Sequence, residues 1–203
     1  MKSVWSNWKN KGKRGFCVQQ APLFFWEDHI LKTDRCSIYE IKESDLADVR
    51  ILFTDDEVRT YLGGAYDKAR AEEKLRNIMM GIDNQGFTVR RTSDSTLLGL
   101  IEIGPYHNGM EQEISYQFAP EVWGQGYAKE AIQAVLVFLS EQGTLESILA
   151  ETQKKNIRSC RLLEALGFKM RESLIRFRQP QVVYMKRLCK SIKASKAFNE
   201  MLE

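Results

Sequence analysis

The chain has 203 residues, 43% of them hydrophobic and 28% charged, with a formal net charge of +3. That is one domain of ordinary size with enough apolar material for a core. No apolar run reaches the roughly 18 residues of a membrane-spanning helix, and the cysteines at 17, 36, 160 and 189 form no C-x-x-C pair beside only two histidines, His29 and His107, so neither a span nor a zinc site is expected.

Charge is uneven. Residues 1–35 hold seven Lys/Arg against three Asp/Glu, residues 186–203 hold five against two, and residues 36–185 hold 18 against 22. Basic ends suit a plainly solvated surface first, and contact with RNA or ribosomes second. Residues 1–32 lack periodicity and read as an N-terminal extension. Its basic stretch (Lys2, Lys9, Lys11, Lys13, Arg14) precedes an apolar piece, 21–26, that is too short for a secretory signal and ends at Glu27 and Asp28, so a cytoplasmic protein is expected.

From Cys36 the pattern becomes orderly. Residues 36–41 alternate as a strand does. Ser44 is positioned to cap a helix to about Phe53, with Leu46, Val49, Leu52 and Phe53 at helical spacing. Gly63-Gly64 breaks the chain before a second helix, 68–83, striped by Leu75, Ile78 and Met79. Strands at 87–91 and 96–103 flank a hairpin turn at 92–95, His107-Asn108-Gly109 is a further turn, and 114–118 is a strand. A helix at 128–139 carries Ala131, Ile132, Val135 and Leu139 on one face, and a short strand occupies 147–152. A helix over 156–166 stops at Gly167 in a left-handed cap, and strands at 168–177 and 181–188 complete a domain spanning 33–188, before a basic tail at 189–203. The order predicts a mixed α/β (α+β) domain on a largely antiparallel sheet.

The segment Trp123-Gly124-Gln125-Gly126-Tyr127-Ala128 joins a strand to a helix. Glycines let backbone approach a ligand, the free N–H groups of a first helical turn point at it, and the helix dipole favours negative charge there. The loop suits a pyrophosphate, or simply a tight turn. It lacks the G-K-[ST] ending of a P-loop and the G-x-G-x-x-G spacing of a dinucleotide site. Asn156 stands at a helix start with Ser159 one turn on along the same face. They are either a cap and a surface serine or ligands for an amide.

In joint order and spacing, these elements resemble the acetyl-CoA site of the GNAT superfamily of N-acetyltransferases, whose loop reads Q/R-x-x-G-x-G/A. Here Trp123 stands in place of Gln/Arg and Ala128 is the last small residue. The resemblance runs from about Thr33 to Leu188 and includes SDLADVRILFTDDEVRTYLGG at 44–64. It is nearest to the ribosomal-protein N-terminal (Rim-type) branch, where WGxGYAxEA and NxxS are usual. It implies the GNAT fold, a mostly antiparallel central sheet splayed at the acetyl-CoA site with flanking helices. It implies acetyl-CoA as co-substrate, no metal, and a cofactor-binding set of Gln117, Phe118, Trp123, Gly124, Gln125, Gly126, Tyr127, Ala128, Asn156 and Ser159. The free N–H groups of the strand at 114–118 would hold pantetheine and the acetyl oxygen.

Acetyl transfer needs a neutral amine, whereas an alkylamine has a pKa near ~10, so a base is expected. Glu113 is the first choice. It begins the strand leading into the loop, 13 residues before Gly126, close to where some family members place a catalytic glutamate, and shares a strand face with Ser115 and Gln117. Glu102, Glu151 and water are the alternatives, and Glu113 also reads as an exposed turn residue beside Glu111. Many family members use a tyrosine acid seven residues after the motif asparagine. That position is Leu163 here. The branch resemblance implies Ser159 as the substitute, donating a hydrogen bond to sulfur. Cys160, about 100° further round the helix, reads as core. The acceptor is expected to be a primary amine: a protein N-terminus on the ribosomal model, or a small molecule such as a polyamine or an aminoglycoside-like antibiotic. An acetyl-CoA-binding protein without catalysis is a third reading. The loops at 62–67 and 105–112 that would shape the acceptor site fit no readable pattern, and homodimer formation is left open.

Overall fold

The computed structural model describes residues 30–82 and 84–188. Of the expected extension only residues 30–32 are included, and the tail at 189–203 lies outside the described residues. Eight strands among these residues form one sheet in the order β1-β2-β3-β4-β5-β6-β8-β7. They are β1 (Leu31–Lys32), β2 (Cys36–Glu40), β3 (Gln85–Arg91), β4 (Leu97–Pro105), β5 (Gln112–Phe118), β6 (Ser147–Gln153), β7 (Lys169–Arg176) and β8 (Gln179–Arg187). The helices are α1 (Leu46–Thr54), α2 (Asp56–Arg59), α3 (Lys68–Met79), α4 (Tyr127–Gln142) and α5 (Ile157–Ala165).

Strand alternation sorts the core into two layers. Phe87, Val89, Ile101, Ile103, Ile114 and Phe118 turn to one side, where Val135, Leu136, Leu139 of α4 and Leu163 of α5 pack on them. Ile41 and Leu100 turn to the other, beneath Val49, Leu52 and Phe53 of α1 and Leu75 and Ile78 of α3. Each fully buried aliphatic side chain contributes on the order of 1.5–3 kcal/mol, so each helix is held by its apolar stripe.

Local chemistry moves several boundaries. Ser44 does not cap α1: it sits inside a 3-10 turn, Glu43–Asp45, and α1 has no side-chain cap. Asp45, which precedes α1, is buried and accepts from Arg90 Nη2 at 2.7 Å and from Lys42 N at 3.1 Å. The helix expected over 68–83 ends at Met79 because Gly81 takes φ +62, a left-handed conformation natural to glycine. Asp67 caps it, accepting from Arg70 N at 2.8 Å. The four-residue α2 was not anticipated. It is capped by Asp55, which accepts from Val58 N at 2.8 Å.

Candidate active site

β4 and β5 are antiparallel and paired from Gly99↔Phe118 to Pro105↔Gln112. β5 and β6 are parallel, and among the described residues they register at one position only, Glu113↔Leu149. Beyond it the strands part and a cleft of about 850 Å³ opens. Residues 114–118 of β5 and 150–152 of β6 form its sides, with residues 122–124, Gly126 and Ala128 at one end and the first turns of α5 along it. Ala119 N donates to Leu98 O. N–H directions alternate along a strand, so those of Phe118 and Tyr116 turn away from β4 into the cleft.

Gly124 and Gly126 have φ of +74 and +84, so the loop takes a path that side-chain-bearing residues rarely follow. Gly126 is the residue before α4, and the N–H groups of that first turn have no intrahelical acceptor, as at any helix start. A latch from the N-terminal side holds this corner. Thr33 Oγ1 and Arg35 N donate to Glu130 Oε1, Arg35 Nε donates to Glu130 Oε2 at 2.7 Å, and Arg35 Nη1 donates to Gln125 O at 3.0 Å. The Arg35 guanidinium also lies 4.4 Å from the centre of the Tyr127 ring. Gln125 Nε2 donates back to Glu121 O at 2.6 Å.

The expected cofactor residues therefore divide. Gln117, Phe118, Trp123, Gly124, Gly126, Ala128, Asn156 and Ser159 line the cleft, whereas Gln125 and Tyr127 do not. Trp123 is fixed by its Nε1 donating to Phe118 O at 2.8 Å, with Arg158 stacked 4.8 Å from its ring. The Phe118 ring is buried, leaving backbone as what it offers the cleft. Asn156 does cap α5, its Oδ1 accepting from Ser159 N at 3.2 Å, while also forming part of the wall. Ser159 Oγ lies 2.9 Å from Tyr116 Oη. Burial pushes the Tyr116 phenol up to about 12. Lys129, Lys155, Arg158 and Arg161 give the cleft a basic rim.

The other face of β5 carries carboxylates. Glu113 is half-buried just where the strands part, one residue short of the cleft lining and outside the smaller pocket, and its Oε1 accepts from Glu151 N at 3.2 Å. Burial pushes its carboxyl up to about 7, opposed by that hydrogen bond and reinforced by the Glu151 carboxylate. Glu151 lines the cleft and accepts from Tyr106 Oη and Arg176 Nη1, each at 3.0 Å. Glu102 is buried opposite Ser115 and accepts from Asn84 Nδ2 at 2.8 Å. A smaller pocket of about 210 Å³ lies here, bounded by Arg59, Asn84, Glu102, Ser115 and Gln117 among others. The Gln117 side chain is oriented by its Oε1, which accepts from Arg59 Nη1 at 3.2 Å. Arg59 is itself buried and donates to Gly64 O at 2.7 Å and Leu62 O at 2.6 Å, pinning the 60–66 loop against β5.

Sequence reasoning did not find Tyr116, Arg59, Arg35 or Arg158. Alternation along β5 was the available signal for Tyr116, since it puts that ring opposite Glu113. The other three depend on contacts between distant segments.

A family model described as an acetyltransferase (GNAT) domain matches residues 35–169. An uncharacterized N-acetyltransferase of Bacillus subtilis, YnaD, is 27% identical over 139 residues, covering 68% of this chain and 82% of the relative. Among solved structures, spermidine N-acetyltransferase from Vibrio cholerae, in complex with CoA and spermine, superposes with a TM-score of 0.67 at 20% identity, covering 78% of this chain and 98% of that one. Ribosomal-protein-S5-alanine acetyltransferase from Vibrio fischeri gives 0.66 at 16% identity, with 79% and 97% covered.

Proposed function

Since the chain belongs to the GNAT acetyltransferase family, and is thereby an N-acetyltransferase that uses acetyl-CoA, we propose that its acceptor is a protein N-terminal α-amine. The observation that carries this reading is Glu113, a half-buried carboxyl at the point where β5 and β6 part, which burial pushes up to about 7. An α-amine has a pKa near ~8, so handing its proton to such a base is uphill by only about one unit, against more than three for an alkylamine near ~10.4.

The roles follow. Gly124, Gly126 and Ala128 receive the pyrophosphate against the start of α4, and Lys155 and Arg158 add positive charge. The N–H groups of Tyr116 and Phe118 are the donors available to polarise the acetyl carbonyl, a contribution of roughly 3 kcal/mol where one is well aimed. Glu113 takes the amine proton, directly or through one water, and Ser159 donates a hydrogen bond to sulfur as it leaves.

A small polyamine is the second reading. It is favoured by Glu102, Glu113 and Glu151 standing close enough that the first and last raise the Glu113 carboxyl, a concentration of negative charge that suits a second ammonium even with Arg176 on Glu151. The test is thiol release from acetyl-CoA with a peptide bearing a free N-terminus, the same peptide blocked, and spermidine, with products read by mass spectrometry. The α-amine reading expects the free peptide to have the highest kcat/KM. Spermidine ahead by tenfold replaces it, and no thiol release with any amine removes both.

A further inference from the structure

Position 163, where the family's tyrosine acid would stand, holds a leucine buried in the core. A phenol nevertheless reaches this region from another element. Tyr116, on β5, puts its hydroxyl 2.9 Å from Ser159 Oγ, and both side chains belong to the cleft wall. We propose that Tyr116 is a positioning residue that donates to Ser159 and turns the serine proton toward the departing sulfur. This rests on the acetyl-transfer reading above.

The argument is one of counting protons. A serine hydroxyl has one. If Ser159 gives it to Tyr116, none is left for sulfur. If Tyr116 donates instead, the serine proton is free, and its oxygen, already accepting, becomes the better donor. Negative charge growing on sulfur selects the second arrangement. Burial pushes the phenol up to about 12, so it stays protonated throughout. Against a thiol near ~8.5, proton transfer from it is uphill by more than three units. The pair therefore donates hydrogen bonds and surrenders no proton. The amine nitrogen forms a bond to the acetyl carbon, the carbonyl electron pair moves to oxygen and returns, and the C–S bond breaks with its pair on sulfur. The amine proton goes to the base, and solvent protonates the thiolate after release.

The test compares full-length wild type, Tyr116→Phe, Ser159→Ala and the double variant, at one fixed amine, with two donors: acetyl-CoA and phenyl thioacetate, whose thiol is more acidic. Tyr116→Phe is expected to lower kcat with acetyl-CoA by about 10- to 100-fold, the scale of a hydrogen bond to a charged atom, with CoA affinity by calorimetry unchanged. With phenyl thioacetate the loss should shrink to about threefold or less. The double variant should be no worse than the poorer single one, as for groups acting as a unit. A loss of the same size for both donors, or losses that multiply in the double variant, overturns the relay. Should Tyr116→Phe fail to fold, fluorotyrosine at position 116, which keeps the ring and makes the hydroxyl a stronger donor, takes its place: a raised kcat with acetyl-CoA is expected, and an unchanged or lower one overturns the relay. An active wild type with Tyr116→Phe within twofold overturns this inference only. A wild type that releases no thiol from acetyl-CoA overturns the proposed function as well.

Discussion

Glu113 Oε1 accepts the backbone N–H of Glu151 at 3.2 Å, across the point where β5 and β6 cease to pair. One carboxylate thus occupies a position that a backbone carbonyl would fill in a continuous sheet. It is held by the strand it faces, and burial raises its pKa to about 7.

That value sets the first prediction. If Glu113 is the base, kcat/KM of the wild type should climb as pH rises through about 7. Glu113→Gln should lower it by roughly 10²–10⁴-fold at neutral pH, the usual worth of base catalysis. The loss should narrow at higher pH, where more amine is already neutral. A pH–rate profile with one acceptor checks this. A large loss that is constant with pH would make Glu113 an acceptor-binding group, and a loss under threefold would pass the role to Glu102, Glu151 or water.

The same raised pKa has a consequence for stability. Between about pH 4.5 and 7 the folded chain holds this proton more tightly than the unfolded chain, so the group's contribution falls as pH rises through that window. Gln keeps an acceptor for Glu151 N and cannot ionise. Melting curves should show Glu113→Gln gaining on the wild type from pH 5 to pH 8.

Gly126→Asp should abolish CoA binding in titration calorimetry. It adds negative charge at the start of α4 and a side chain at φ +84. Gly126→Asn takes the left-handed conformation at similar cost but carries no charge, and should keep more of the affinity. Equal losses would mean that backbone strain, not charge, is responsible.

Asn156 and Ser159 should separate stability from rate. Asn156→Ala removes the α5 cap and should cost about 1 kcal/mol as well as activity. Ser159→Ala keeps the cap, because the bond uses Ser159 N, and should lower kcat with a smaller change in Tm. Unchanged kcat/KM in both variants would make these residues purely structural.

A chain beginning at Ile30 should fold and transfer acetyl groups, whereas one beginning at Cys36 lacks the Thr33–Arg35 latch on Glu130. The shorter chain should show a raised KM for acetyl-CoA and a lower Tm. Equal behaviour of the two would show the latch to be dispensable, and an inactive Ile30 chain would show that residues 1–29 serve the domain.

The readable parts of this protein were the locally encoded ones. Cys36 to Glu40, the hairpin turn before Leu97 and the glycines at 124, 126 and 167 announce themselves through alternation and left-handed turns. Family resemblance joined Gly126 to Asn156. Neither signal reaches the Tyr116–Ser159 bond, which spans 43 residues, or the burial of Arg59 against Gln117, which spans 58. Such contacts depend on how the layers stack. Ser44 fails as a cap because it lies inside the 3-10 turn, whose last residue, Asp45, precedes α1 and is drawn to Arg90 on β3.

The parted strands also make the folded chain incomplete in a measurable sense. The amides of Tyr116 and Phe118 belong to a central strand of the sheet, yet they face a gap rather than a neighbour. Their hydrogens should exchange with deuterated water far faster than those of Gln117 and Ser115, which face β4 in an unbroken ladder. A bound donor that bridges the gap would slow the fast pair, leave the slow pair as it was, and stabilise the whole fold by mass action, by ~2.7 kcal/mol at a hundredfold excess over its Kd.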